Sequence, residues 1–181
     1  MIHTIHVDHV LQEEIRTQYH DLVTRPTGAA VRNGIRAAIA ETKCRTAFLD
    51  FSSIGLLDFS CADEIVAKLL RDPDPDWPDY VVLHGLNEAH RDAIHHVLED
   101  QALAILAVMR VGGYPAILGH VAPPDARIVF DRVVELAPVT AIGLATSLEW
   151  PVERTREMLD ALTHHRLVRE EAGLYSPPGA S

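Results

Sequence analysis

The chain is poor in aromatic residues, which make up 6 % of its 181 positions, and it has only two cysteines. Cys44 and Cys61 cannot build a disulfide framework, and neither belongs to a CxxC pair. A reducing, cytoplasmic setting is the expectation. Long hydrophobic runs are also missing. The longest, 102–109, is strand-sized and far below the roughly 18 residues of a membrane span, so no membrane association is expected. The opening MIHTIHVDHV has no basic segment leading into an apolar stretch, and no secretory signal is read there. No Gly-rich phosphate loop and no nucleophile–histidine–acid set is recognisable. Gly112–Gly113 reads as an isolated turn. Nothing positive points to catalysis, so neither enzymatic activity nor a cofactor is expected. Basic charge is in deficit, with a formal net charge of −10, which argues against a uniformly basic nucleic-acid binder.

What is present describes a globular protein. Apolar residues are 48 % and charged residues 23 % of the chain, which excludes wholesale disorder. The length suits one medium domain, or one of about 120 residues with a smaller companion. Eleven histidines make the net charge sensitive to pH near about 6.5. One break stands out, the segment 119–125 with its consecutive Pro123–Pro124. It predicts domains at 1–121 and 125–181.

The first part alternates strand and helix. Strands are predicted at 2–7, 19–23, 46–51, 80–84 and 103–109, with an edge strand at 115–118. Helices are predicted at 25–40, at 61–71, and from the cap Asn87 to about Glu99. Segment 72–79 (DPDPDWPD) is a loop. Strands separated by helices imply crossovers and a parallel or mixed sheet, an α/β fold. The second part reads as helices at 125–136, 140–148 and 151–165, then a hairpin over 167–176.

The most specific stretch is DFSSIGLLDFSCADEI, from Asp50 to Ile65. A strand ends at Asp50–Phe51, a loop carries Asp58 and Ser60, and a helix opens. This resembles the STAS domain of anti-sigma factor antagonists, in which a "DFS-x-V" strand leads to a "D-S-S-G-L" loop. SCADEI is similar to the "SFADEL" of STAS-like signalling proteins. The resemblance implies a STAS-like mixed sheet over about residues 1–119 and phosphorylation at Ser60. Asp50, Asp58 and Ser60 would then form a partner-binding loop, facing a kinase-like anti-sigma or switch protein. Phe59 stands where the family has its first serine, and Cys61 where it has glycine.

The residues have their own chemistry beside the resemblance. A phosphate at a helix N-terminus is accommodated by free N–H groups and partial positive charge. Beside Asp58 it would repel an acidic partner surface. Ser60-x-x-Asp63 is equally a helix-capping pattern in which Ser60 bonds the Asp63 amide, and a cap can also be an acceptor. Asp50 and Asp58 read either as a metal or acid/base pair or as two carboxylates bonded to nearby amides. His3, His6 and His9, placed on one strand, would put His6 on the opposite face from the other two. His90 lacks i,i+4 spacing to His95 or His96, and His164–His165 end a helix. No metal site is expected. Cys61 at a helix start has the position of a thiol of lowered pKa, or of a packed one.

The segment 139–177 resembles the winged-helix domains of bacterial transcription regulators. Thr140, Leu144–Ala145 and Leu148 match its "T-x-x-x-L-A-x-x-L", followed by a turn, a recognition helix and a wing. Arg154, Thr155, Arg156 and the wing residue Arg169 are the candidate DNA contacts, with Arg166 nearby. Thr155 is within reach of a base edge or phosphate, and its spacing equally suits burial. Glu153, Glu157, Asp160, Glu170 and Glu171 oppose DNA binding, and a homodimer would double the available cations. The expectation is a non-enzymatic bacterial-type regulator, with a STAS-like partner-switch domain coupled to a winged-helix output acting in transcription. The alternative is a DNA-binding transcription factor whose α/β domain only dimerises or binds a small effector.

Overall fold

Four parallel strands and one antiparallel edge strand make the framework of the first part of the chain. The computed structural model describes residues 1–73, 75–109 and 113–179. Gly112 of the expected glycine turn and Asp74 of the acidic loop lie outside them. The chain divides into two compact units, Met1–His120 and Val121–Ser181, and the described residues hold seven helices.

In the first unit the strands are β1 (Ile2–His6), β2 (Thr46–Asp50), β3 (Tyr80–His84), β4 (Ala104–Val108) and β5 (Pro115–Gly119). They lie in the order β1-β2-β3-β4-β5; the first four are parallel and β5 runs antiparallel to β4. The fold is therefore mixed α/β. Helices α1 (Val7–Ile15) and α2 (Arg25–Thr42) connect β1 to β2. Helix α3 (59–71) connects β2 to β3 and contains a π-helical turn at Asp63–Ala67. Helix α4 (Glu88–Asp100) connects β3 to β4. Right-handed crossovers between sequential neighbours all fall on one face, and α2, α3 and α4 do pack side by side. The covered face presents the row Ile5, Leu49, Leu83 and Ala107, set by the strand register. Against it pack Val31, Ile35 and Ile39 of α2, Ile65 and Leu69 of α3, and Ile94 and Leu98 of α4.

Several expectations need correction. The segment from Val7 to Ile15 is helix, not a continuation of β1. Val7, Val10 and Leu11 form its buried stripe, so His9 is not on a strand at all. The strand expected at 19–23 reduces to one bridge, Leu22 with Leu57, because the segment meets a loop and finds no ladder to extend. Helix α3 begins at Phe59, two residues earlier than expected.

The second unit contains α5 (Ala126–Leu136), α6 (Ala141–Leu148) and α7 (Val152–His164). A three-stranded antiparallel sheet in the order β6-β8-β7 completes it, from β6 (Val139–Thr140), β7 (Arg169–Glu171) and β8 (Leu174–Ser176). Thr140, expected as the first residue of a helix, lies in β6 and caps α6, accepting from the Gly143 amide at 3.0 Å. Val129, Phe130 and Val133 of α5, Leu144 of α6 and Leu159 and Leu162 of α7 are buried. The hairpin turn Ala172–Gly173 has positive φ at both residues, 52° and 80°, as a two-residue turn matching strand twist requires. No helix among the described residues is long and apolar enough to cross a membrane.

Candidate functional site

The sheet register puts His6, Asp50 and His84 in one row at the carboxyl ends of β1, β2 and β3. Asp50 is buried, and its Oδ2 lies 3.0 Å from His6 Nδ1 and its Oδ1 3.5 Å from His84 Nδ1. Oδ1 also accepts from the Ser52 amide at 2.9 Å. Burial pushes the Asp50 carboxyl up, but Ser52 and His84 outweigh it and hold it below its ordinary value of 3.8. His9, on α1, brings its ring to 5.2 Å from that of His6. Among the described residues no three His, Cys, Asp or Glu side chains are placed to hold a metal ion.

A carboxylate whose folded pKa is depressed stabilises the fold above its ordinary pKa. That contribution is lost as pH falls through the lower folded value. Asp63 and Glu64 are lowered as well. Stability is therefore expected to decline from about pH 4 downward, and the decline should be shallower in Asp50→Asn. Urea midpoints measured across this range decide the point; identical acid limbs in both proteins would remove Asp50 from the account.

Beyond Asp50 the loop is pinned along its length. The amides of Gly55 and Asp58 donate to the carbonyls of His20 and Leu22 at 2.8 and 3.0 Å. Leu22 donates to Leu56 O at 2.8 Å, and Leu56 to Asp21 Oδ1 at 2.8 Å. Buried His90 closes the other side, its Nε2 2.6 Å from Gly55 O. The bridge turns Leu22 and Leu57 inward, so their neighbours Val23 and Leu56 face outward. Val23 is 46 % exposed, Leu56 64 %, and Phe59 at the head of α3 58 %. The Phe59 ring meets that of His96 edge-on at 5.3 Å.

Asp58, not Ser60, caps α3. Its Oδ1 accepts from the Cys61 amide at 2.8 Å. Ser60 sits inside the first turn, half-buried. Cys61 is not an activated thiol. Burial, and then the charge of Asp58, push it up to about 12, and its Sγ donates to Thr24 O at 3.1 Å.

The same helix holds a network of which only the Glu64–Lys68 pair has local, i,i+4 spacing. Buried Glu64 receives Arg32 on Oε2 at 2.6 Å and Arg25 on Oε1 at 3.1 Å, with Lys68 on the same oxygen. Arg25 also bonds Asp63 Oδ2 at 2.9 Å, and Gln101 bonds Asp63 Oδ1 at 2.8 Å. Burial raises the Glu64 carboxyl, but the three cations more than reverse this and hold it low.

In the second unit, Arg154 is occupied. Its Nη2 lies 2.5 Å from Asp125 Oδ2 and its guanidinium stacks 3.8 Å over the Trp150 ring. Thr155 is fully buried, and its hydroxyl bonds Pro151 O at 3.2 Å. It cannot touch DNA; the i−4 bond and core packing account for it. Arg156 lines an open groove of about 440 Å³ with Thr140, Asp160 and Tyr175. Arg169 Nε is 3.9 Å from Glu171 Oε1.

No protein family, curated protein or solved structure matches this chain.

Proposed function

We propose that the chain is a non-enzymatic regulatory protein, a STAS-like partner switch joined to a winged-helix output acting in transcription regulation. The observation that carries the reading is the exposed apolar edge of Val23, Leu56 and Phe59 around the helix turn that holds Ser60. Large exposed apolar side chains on hydrogen-bonded segments suit contact with another protein. A phosphoryl group on Ser60 would bring about −1.5 to −2 charge into that edge and weaken the contact by the cost of desolvating it and by repelling an acidic partner surface.

The order α5, β6, α6, α7 and hairpin, with β6 beside β8, supports the winged-helix reading of the second unit. The outward side of α7 carries Glu153, Glu157 and Asp160 against Arg154 and Arg156, and Arg154 is already engaged. This charge balance supports a protein target for the output over DNA.

The test uses wild type, Ser60→Glu and the exposed double variant Leu56→Ser/Phe59→Ser as baits in extract of the producing cells. A protein held by wild type is expected to be captured about tenfold less by each variant, the loss of one interface hot spot. Circular dichroism should show all three baits folded. Identical capture by the three would overturn the switch.

A further inference from the structure

Helices α2 and α3 run side by side in the same direction. Gly28 packs against Cys61 and Glu64, Arg32 bonds Glu64, and Arg36 bonds Asp72 O at 2.7 Å. Three residues before Gly28, Arg25 therefore starts level with the first turn of α3, the turn that carries Ser60. From there its guanidinium reaches forward to Asp63 and Glu64. Those positions follow Ser60 by three and four residues and share its helix face.

Arg25 is also the cation this network can release. Its side chain is 58 % exposed, whereas that of Arg32 is 17 % exposed and tied to the Glu64 carbonyl as well. Without Arg25, Glu64 keeps Arg32 and Lys68, and Asp63 keeps Gln101. No buried carboxylate is left alone.

We propose that Arg25 is the receiver of a phosphoryl group on Ser60, leaving Asp63 and Glu64 to bind it. The proposal rests on the reading of Ser60 as the modified residue. Transfer from a nucleoside triphosphate forms the Oγ–P bond, breaks the bond between the γ-phosphorus and its bridging oxygen, and releases the nucleoside diphosphate. The hydroxyl proton passes to a base of the kinase. The dianion then offers the guanidinium three acceptor oxygens, a better match to its planar fork than two separate carboxylate oxygens. Arg25 cancels the repulsion that Asp58, Asp63 and Glu64 would otherwise exert on the phosphate.

Phosphoserine installed at position 60 during translation removes the need for a kinase, and ³¹P NMR then reads the phosphate's second ionisation directly. Against the otherwise unmodified phosphoprotein, Arg25→Gln is expected to raise that pKa by about one unit, the effect of losing one adjacent opposite charge. Arg25→Lys, which keeps charge and loses the fork, should fall between. Arg45→Gln, before β2 at the opposite end of the sheet, should change nothing. A phosphate pKa unmoved by Arg25→Gln and by Arg25→Lys would overturn the assignment. That failure would leave Ser60 modification standing. Mass spectrometry finding no phosphate on Ser60 in protein from its own cells would remove the modification and leave the Arg25 result intact.

Discussion

Replacing Glu64 by alanine is expected to cost the first unit about 3–5 kcal/mol, the penalty of breaking a buried ion pair from one side. The Glu64 side chain is 7 % exposed and is met by three cations. Its removal leaves Arg32 facing α3 without a counter-charge and opens a void beside Gly28, where the helices approach closely. Arg25→Gln in the same network should cost less than about 1 kcal/mol, because Arg25 is exposed and each of its partners has another. The pair of values is the informative quantity. Urea unfolding of both variants supplies it, and an Glu64→Ala loss as small as that of Arg25→Gln would mean the network does not hold α2 to α3.

Gly119→Ala is expected to be at least as damaging, about 4 kcal/mol or more, and to abolish a cooperative transition in the first unit. Gly119 has φ of +91°, and a Cβ there would run into the carbonyl oxygen of Leu103 and lie 2.6 Å from Leu98 Cβ. Leu103 cannot retreat, and Gly119 is itself held in place. Leu103 O accepts the His120 amide at 2.7 Å, and the Gly119 amide is held by His95 Nδ1 at 2.9 Å. Gly173→Ala is the internal comparison. Its φ is +80°, yet nothing lies within 4 Å of the added carbon, so only backbone strain of about 1–2 kcal/mol remains. Thermal unfolding that shows equal losses for the two would mean that backbone strain, not the Leu103 contact, sets the cost.

Legibility in the sequence followed the range of the interactions. β3 and β4 are short apolar runs, and α2, α4 and α7 repeat apolar residues at helical spacing, so local pattern sufficed for them. Helix α1 escaped because nothing separates it from β1. His6 is its N-cap without a side-chain bond to the helix amides, and the first buried helical residue, Val7, follows the strand directly. Asp58 and Ser60 are both good caps, and the choice between them is made by a segment distant in sequence. The bridge of Leu22 with Leu57 sets where the chain enters the helix, which leaves Asp58 facing the free amides. The row His6–Asp50–His84 required the strand order, and the Arg25–Glu64 network required the register of α2 on α3. Neither is encoded in spacing along the chain. Thr155 shows the converse. Its helical spacing already agreed with burial, while its hydroxyl suggested contact; the i−4 carbonyl satisfied the hydroxyl and burial prevailed.

The strand order bears on how the first unit is made. Every strand lies beside the one that precedes it in the chain, so no strand has to be threaded between two already placed. Successive crossover units leave the ribosome seconds apart at roughly 5–20 residues per second, while helices and small loops close in about a microsecond or less. The sheet can grow in one direction, each new strand finding its template already in position. The last strand, β5, turns back and joins as a hairpin with β4. The growing edge exposed during synthesis is thus always a single strand, and the last addition to it, β5, is the one pairing that needs no crossover.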